Sequence, residues 1–183
     1  MPYLSSMCRL LMFDTGPMNT LTIRQRQYVC VLNVALLGLF YGVSAAFLTH
    51  IFLLGQGGAA AGTANLLKIA VAGLPVAFLM HGGAALFAWV FLKAAGGKAD
   101  FITAYFDMGV AAISLWPLAP VAAALQAGMT APWLPVFGSC LALYGAAVNV
   151  AVLKKTFCLS SARMAVAASV TAIYIGCFLY LWI

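Results

Sequence analysis

Five long apolar runs, separated by short polar or glycine-rich connections, organise this chain. They cover about Tyr28 to Leu54, Leu66 to Leu92, Phe101 to Leu125, Trp133 to Leu153 and Met164 to Ile183. A helix needs about 20 mostly apolar residues to cross the hydrocarbon core of a bilayer, and each run is about that long or longer. None alternates with the period of two that a half-buried strand requires. The pattern therefore predicts an all-α integral membrane protein, a bundle of five transmembrane helices spanning residues 28–183. Residues 1–27 read as a short cytoplasmic arm. Leu10 to Phe13 is too short for the apolar core of a signal peptide, and Asp14 and Pro17 interrupt the chain directly after it.

Small residues and prolines refine the picture. Gly38, Gly42 and Ala46 recur four apart in the first run, Ala142 and Ala146 in the fourth, and Ala168, Ala172 and Gly176 in the fifth. In lipid, where burying apolar surface drives little association, such stripes let helix backbones approach closely. They predict seams within the bundle, with a dimer face as the alternative. Pro75 lies inside the second run, and Pro117 and Pro120 lie in the middle of the third. Proline removes a backbone donor and clashes with the preceding turn, so the third helix should kink near Trp116 to Pro120. The kink reads as a packing feature or, if it lines a pathway, as the broken helix of a transporter.

Composition agrees with this class. Of 183 residues, 66% are hydrophobic and only 7% charged, and the mean hydropathy is +1.08, which excludes an ordinary soluble domain. The charge pattern adds direction. Arg9, Arg24 and Arg26 precede the first run, Lys93 and Lys98 follow the second, and Lys154, Lys155 and Arg163 follow the fourth, whereas the two remaining connections carry only Lys68. By the positive-inside rule the N-terminus is cytoplasmic and, with five spans, the C-terminus external. The net charge of +6 then reads as anchoring at an anionic leaflet of the cell inner membrane, not as nucleic-acid binding. Arg24, Arg26, Lys93, Lys98, Lys154, Lys155 and Arg163 are the expected contacts to anionic lipid or to a partner.

Candidate chemistry is sparse. The acidic residues are Asp14, Asp100 and Asp107; Asp100 reads as the cap of the third helix. Asp107 lies roughly 10 Å below the cytoplasmic end of that helix, with Asn33 and Asn149 roughly 6 Å below the same face on the first and fourth. Lys93 or Lys154 could reach inward toward Asp107, and Tyr105 is nearby in sequence. Asp107, Asn33 and Asn149, with His81, form either a polar pocket open to the cytoplasmic leaflet or a hydrogen-bonded cluster that sets helix register. His81, mid-membrane before Gly82-Gly83, reads as a neutral, hydrogen-bonded histidine. His50 lies at a different depth, which argues against two-histidine haem ligation. The five cysteines contain no C-x-x-C, so no metal site is expected. Cys140 and Cys177 fall at similar depth but read as free, small hydrophobes. Gly55-Gln56-Gly57-Gly58 reads as a linker, because a phosphate loop needs a strand before it and a helix after it. No catalytic constellation and no cofactor are expected.

From the second run onward the chain resembles the Yip1 family. The likeness rests on Lys93-Ala94-Ala95-Gly96-Gly97-Lys98-Ala99-Asp100-Phe101, on Gly109, Pro117 and Pro120, and on the connection Leu153-Lys154-Lys155-Thr156-Phe157-Cys158-Leu159-Ser160-Ser161-Ala162-Arg163. The resemblance implies five spans, a cytoplasmic N-terminus and no catalytic residues. Together these readings point to a non-enzymatic membrane protein that binds membrane lipids or membrane-protein partners, or forms a homo-oligomer, through its cytoplasmic face. Two alternatives remain: a small transporter or channel component using Asp107 and His81, and the hydrophobic anchor subunit of a larger complex.

Overall fold

The computed structural model describes residues 3–55 and 62–180 and is helical throughout, with no strand among the described residues. Two short helices, α1 (Tyr3–Leu11) and α2 (Gly16–Thr20), lead into α3 (Ile23–Gly55) and α4 (Thr63–Ala94). The third run is broken into α5 (Phe101–Ala111), a 3-10 turn (Ala112–Leu115) and α6 (Leu118–Gln126); α7 (Trp133–Thr156) and α8 (Ser161–Tyr180) complete the bundle. Among the described residues three helices, α3, α4 and α7, are long and apolar enough to cross a membrane, and the bent third run makes up to four. The described side chains of α8 give an apolar stretch over Ser161–Ile173. Leu67, Val71, Leu79, Leu143, Val166 and Ile173 are all exposed. A belt of large apolar side chains on this scale suits lipid, not water.

The helix ends are set by local chemistry. Thr22 and Gln25 form a capping box at the start of α3. The Thr22 N–H donates to Gln25 Oε1 at 2.9 Å, and the Gln25 N–H donates to Thr22 Oγ1 at 3.3 Å. Asp100 caps α5 as expected, accepting from the Thr103 N–H at 2.7 Å. Its hydrogen bonds to Thr103 hold its carboxyl below the usual range. Protonation weakens such a bond, so the cap is intact above the ordinary carboxylate pKa and is lost as pH falls through the lowered one. Helix α4 ends with Gly96 at φ 91° and α7 with Cys158 at φ 53°. In each case the next N–H reaches back five residues, Gly97 to Leu92 at 2.9 Å and Leu159 to Lys154 at 3.1 Å. These are Schellman endings, one of them without glycine.

The expected kink is present and large. The two halves of the third run are bent by 74°, with Pro117 and Pro120 at the break, where missing backbone donors end the helical ladder. Pro75, by contrast, sits within a continuous α4.

The seam between α3 and α4 is made by glycine. A Cβ added at Gly38 would lie 2.6 Å from the Gly73 carbonyl oxygen, and one at Gly42 would overlap the Ala70 carbonyl. The small residues of the first run thus serve an intramolecular contact. Ala142, Ala146 and Ala172 are exposed on their helices, so those positions close no seam among the described residues. The surroundings of Gly176, the side chain of Cys177, and residues 56–61 of the glycine-rich linker lie outside the described residues.

Residues 1–27 are not a free arm over their described part. Met7, Leu10 and Met18 are buried, and they pack with Val29, Val110, Val148 and Val152 of α3, α5 and α7. The first long helix starts at Ile23 instead of Tyr28, which brings Arg24 and Arg26 onto α3.

Candidate functional site

The polar residues of the candidate site divide into two groups, one around Asp107 and one around His81. The first is built on Asp107, whose residue is 1% exposed. Its carboxylate accepts from Arg26 Nη1 at 2.9 and 3.2 Å and from the Thr156 hydroxyl at 2.6 Å. Arg26 Nη2 also donates to the Met18 carbonyl at 2.5 Å. Arg26 Nε is buried without a partner. The arginine side chain is 24% exposed, against 2% for the aspartate. One end of the pair therefore still touches the outside.

The expected partner of Asp107 is corrected here. Lys93 turns back over its own connection, donating to the carbonyls of Lys98 and Ala99 at 3.4 Å. Lys154 donates to Ser161 Oγ at 2.7 Å. Arg26 takes the role because α3 begins early enough to carry it into the bundle. The capping box at Thr22 and Gln25 is the sequence signal for that earlier start. Thr156, the second donor, has no distinguishing signal; it also donates to its own helix, to Val152, at 3.1 Å.

Asn33 lies deeper, about 15 Å along α3 from Ile23. Its side chain donates to the Val110 carbonyl at 2.9 Å, and its own carbonyl accepts from Trp116 Nε1 at 3.1 Å. It is fully buried beneath Met7. Asn149 is not brought into this cluster by any hydrogen bond of its amide nitrogen, which donates along its own helix to Gly145 at 2.9 Å.

The N-terminal segment is held over the cluster by three side chains. Arg26 holds Met18, Tyr144 OH donates to the Leu11 carbonyl at 2.6 Å, and Lys155 Nζ donates to the Thr15 carbonyl at 2.7 Å. The Arg9–Asp14 ion pair, at 2.5 Å, braces the turn between α1 and α2. The backbone N–H of Gly16, and then Arg9, keep the Asp14 carboxyl below its usual range.

His81 belongs to the second group. Its Nε2 lies 3.0 Å from the Tyr105 carbonyl, and the two rings meet edge to face at 4.6 Å. Cys30 Sγ approaches the same nitrogen at 3.9 Å. No group of three or more His, Cys, Asp or Glu able to hold a metal is present among the described residues.

The α4–α5 and α7–α8 connections lock together. Gly97 lies flat against the ring of Phe157, where a Cβ would overlap it, and Lys98 N–H donates to the Phe157 carbonyl at 3.4 Å. Phe157 is fully buried. Arg24 and Lys98 are exposed, and neither side chain has a hydrogen-bond or ion-pair partner among the described residues. Compared with protein-family models, curated proteins and solved structures, the chain matches none.

Proposed function

We propose that this chain is a non-catalytic, five-span inner-membrane protein of Yip1 type that binds lipid or partner membrane proteins through its basic, cytoplasmic end. One observation carries the reading: the polar side chains of the candidate pocket are engaged inside the protein. Asp107 is occupied by Arg26 and Thr156, Asn33 by Val110, Asn149 by Gly145 and His81 by Tyr105. A transport pathway needs ionisable groups that face a water-filled route and exchange partners. What remains for a ligand is the set of cations at one end, with Arg24 and Lys98 unneutralised.

Five spans are supported by two features beyond the long helices. Gln126, at the end of α6, accepts from Tyr41 OH, and Tyr41 is about 27 Å along α3 from Ile23. The bent third run thus ends close to the far side. Helix α8 has 20 residues, about 30 Å of helix, enough to cross. The two connections that carry the Yip1 resemblance are those joined at Gly97 and Phe157, which gives both short motifs one structural task. With the N-terminus inside, a fluorescent protein fused after Ile183 and exported unfolded stays dark in a bacterial host. Bright fusions sink this topology.

In proteoliposomes the purified protein should pass protons and monovalent cations no faster than empty vesicles do. A flux above that level which collapses in Asp107→Asn, with the fold intact by circular dichroism, overturns the binding reading in favour of a transporter.

A further inference from the structure

The N-terminal segment does not close completely onto α3. Between them runs a groove of about 780 Å³, within the 300–1,000 Å³ range of sites that hold small ligands. Its walls are apolar along most of their length: Met7 from α1, Leu21 from the connection, and Tyr28, Val29 and Leu32 from α3. Arg24 stands at its outer end, in the first turn of α3.

We infer that this groove holds one acyl chain of an anionic phospholipid, with the lipid phosphate at Arg24. The inference rests on the proposed lipid- or partner-binding role and gives it a location. Three observations select the occupant. The groove descends from the first turn of α3 to Leu32, about 14 Å along the helix, which is the direction in which an acyl chain runs from its headgroup. Its lining is mostly apolar; of its other polar residues, Ser6, Thr22 and Gln25, the last two are bonded to each other, so a free phosphate or a nucleotide finds a single cation there. Arg24 is also uncompensated. Asp14, on the turn between α1 and α2, is paired with Arg9, and Asp107, on α5, is paired with Arg26.

Burying an acyl chain against protein instead of against other lipid brings little free energy, because both surroundings are apolar. Selectivity must then come from the headgroup charge, while the groove fixes the chain in place. One cation near an anionic membrane surface is worth about 1 kcal/mol, or roughly fivefold in binding.

The test uses the full chain in mild detergent with equimolar dioleoyl phosphatidylglycerol and dioleoyl phosphatidylcholine, read by native mass spectrometry. Wild-type protein should retain phosphatidylglycerol preferentially. Arg24→Gln should cut that preference about fivefold. Leu32→Trp, which fills the groove and leaves Arg24 in place, should remove the retained lipid at unchanged helix content. Lys68→Gln, in α4 and not part of the groove lining, should behave as wild type. Preference persisting in both Arg24→Gln and Leu32→Trp overturns the groove and leaves the basic-end reading standing. Equal retention of the two lipids by wild type overturns the groove and removes the lipid arm of that reading with it. Arg24 is exposed and lies outside the packed core, so Arg24→Gln remains informative if Leu32→Trp does not fold.

Discussion

Asp107→Leu should destabilise the bundle by about 3 kcal/mol, the lower end of the cost of stranding one member of a buried ion pair. The substitution leaves the Arg26 guanidinium without its carboxylate, while Nη2 keeps the Met18 carbonyl and Nε has no partner to fall back on. The cost stays at the lower end because Arg26 is 24% exposed on its side chain and can turn its head group toward the interface. Thr156 loses its bond to Asp107 and retains the one to Val152. The double variant Arg26→Met with Asp107→Leu should recover to within about 1 kcal/mol of wild type, since replacing both charges by apolar groups removes the stranded one. Equilibrium unfolding in mixed micelles of rising sodium dodecyl sulfate content, followed by circular dichroism, compares both variants with wild type. If the double variant is no more stable than Asp107→Leu alone, the two residues are not coupled and the pairing is wrong.

The same pair shows where the sequence is readable and where it stops. The apolar helices, the break at Pro117 and Pro120 and the cap at Asp100 rest on strong local rules, and the structure has three to four helices of spanning length together with the break and the cap. Asp107 stands out as an acid inside an apolar run, and it is indeed buried. Its partner does not stand out, because assigning Arg26 to the arm or to the helix depends on a helix boundary. Boundaries set by hydropathy alone miss the polar first turns that precede a span, and here Thr22 and Gln25 move the start to Ile23. Asn149 fails differently. Its depth matches the cluster, but depth does not say which way a side chain faces, and its nitrogen reaches only Gly145.

The N-terminal segment is harder still to read. Met7, Leu10 and Leu11 are spaced as one helix face, yet α1 is only 9 residues long and too short to be stable alone. It is helical because Val110, Val148 and Val152 offer a surface to cover and because Tyr144 and Lys155 hold the backbone at and beyond its end. Neither condition is visible within residues 1–27. The resulting layout also joins function to fold. Arg26 serves the interior and Arg24, two residues away, serves the outside, so one helical turn both anchors the bundle and presents the cation of the proposed lipid groove.

The second large effect is expected at the α3–α4 seam, where Gly42→Leu should cost about 3 kcal/mol or more, at or beyond the upper end for overpacking. A side chain placed against a flexible neighbour can be absorbed by a rotamer change, but the neighbour here is backbone. The Cβ would overlap the Ala70 carbonyl oxygen and lie 2.9 Å from its carbonyl carbon and 3.1 Å from its Cα. The opposing helix is as close in return. A Cβ at Gly73 would overlap the Gly38 carbonyl and lie 2.8 Å from both the nitrogen and the Cα of Gly42. Neither helix can yield without moving whole, and moving it opens the contact that holds the two together in a solvent that supplies no hydrophobic drive of its own. Gly83→Ala on the same α4 is the matched control. Nothing lies within 4 Å of the added Cβ, and alanine is up to about 1 kcal/mol better than glycine inside a helix, so this variant should equal or exceed wild type. The unfolding assay used for Asp107 ranks the variants, and size-exclusion chromatography with light scattering reports oligomeric state alongside. Wild-type stability in Gly42→Leu, accompanied by a change in the monomer–dimer ratio, would mean that the glycine stripe joins two copies and not two helices of one chain. Lost stability at unchanged oligomeric state assigns the stripe to the internal seam, where backbone meets backbone.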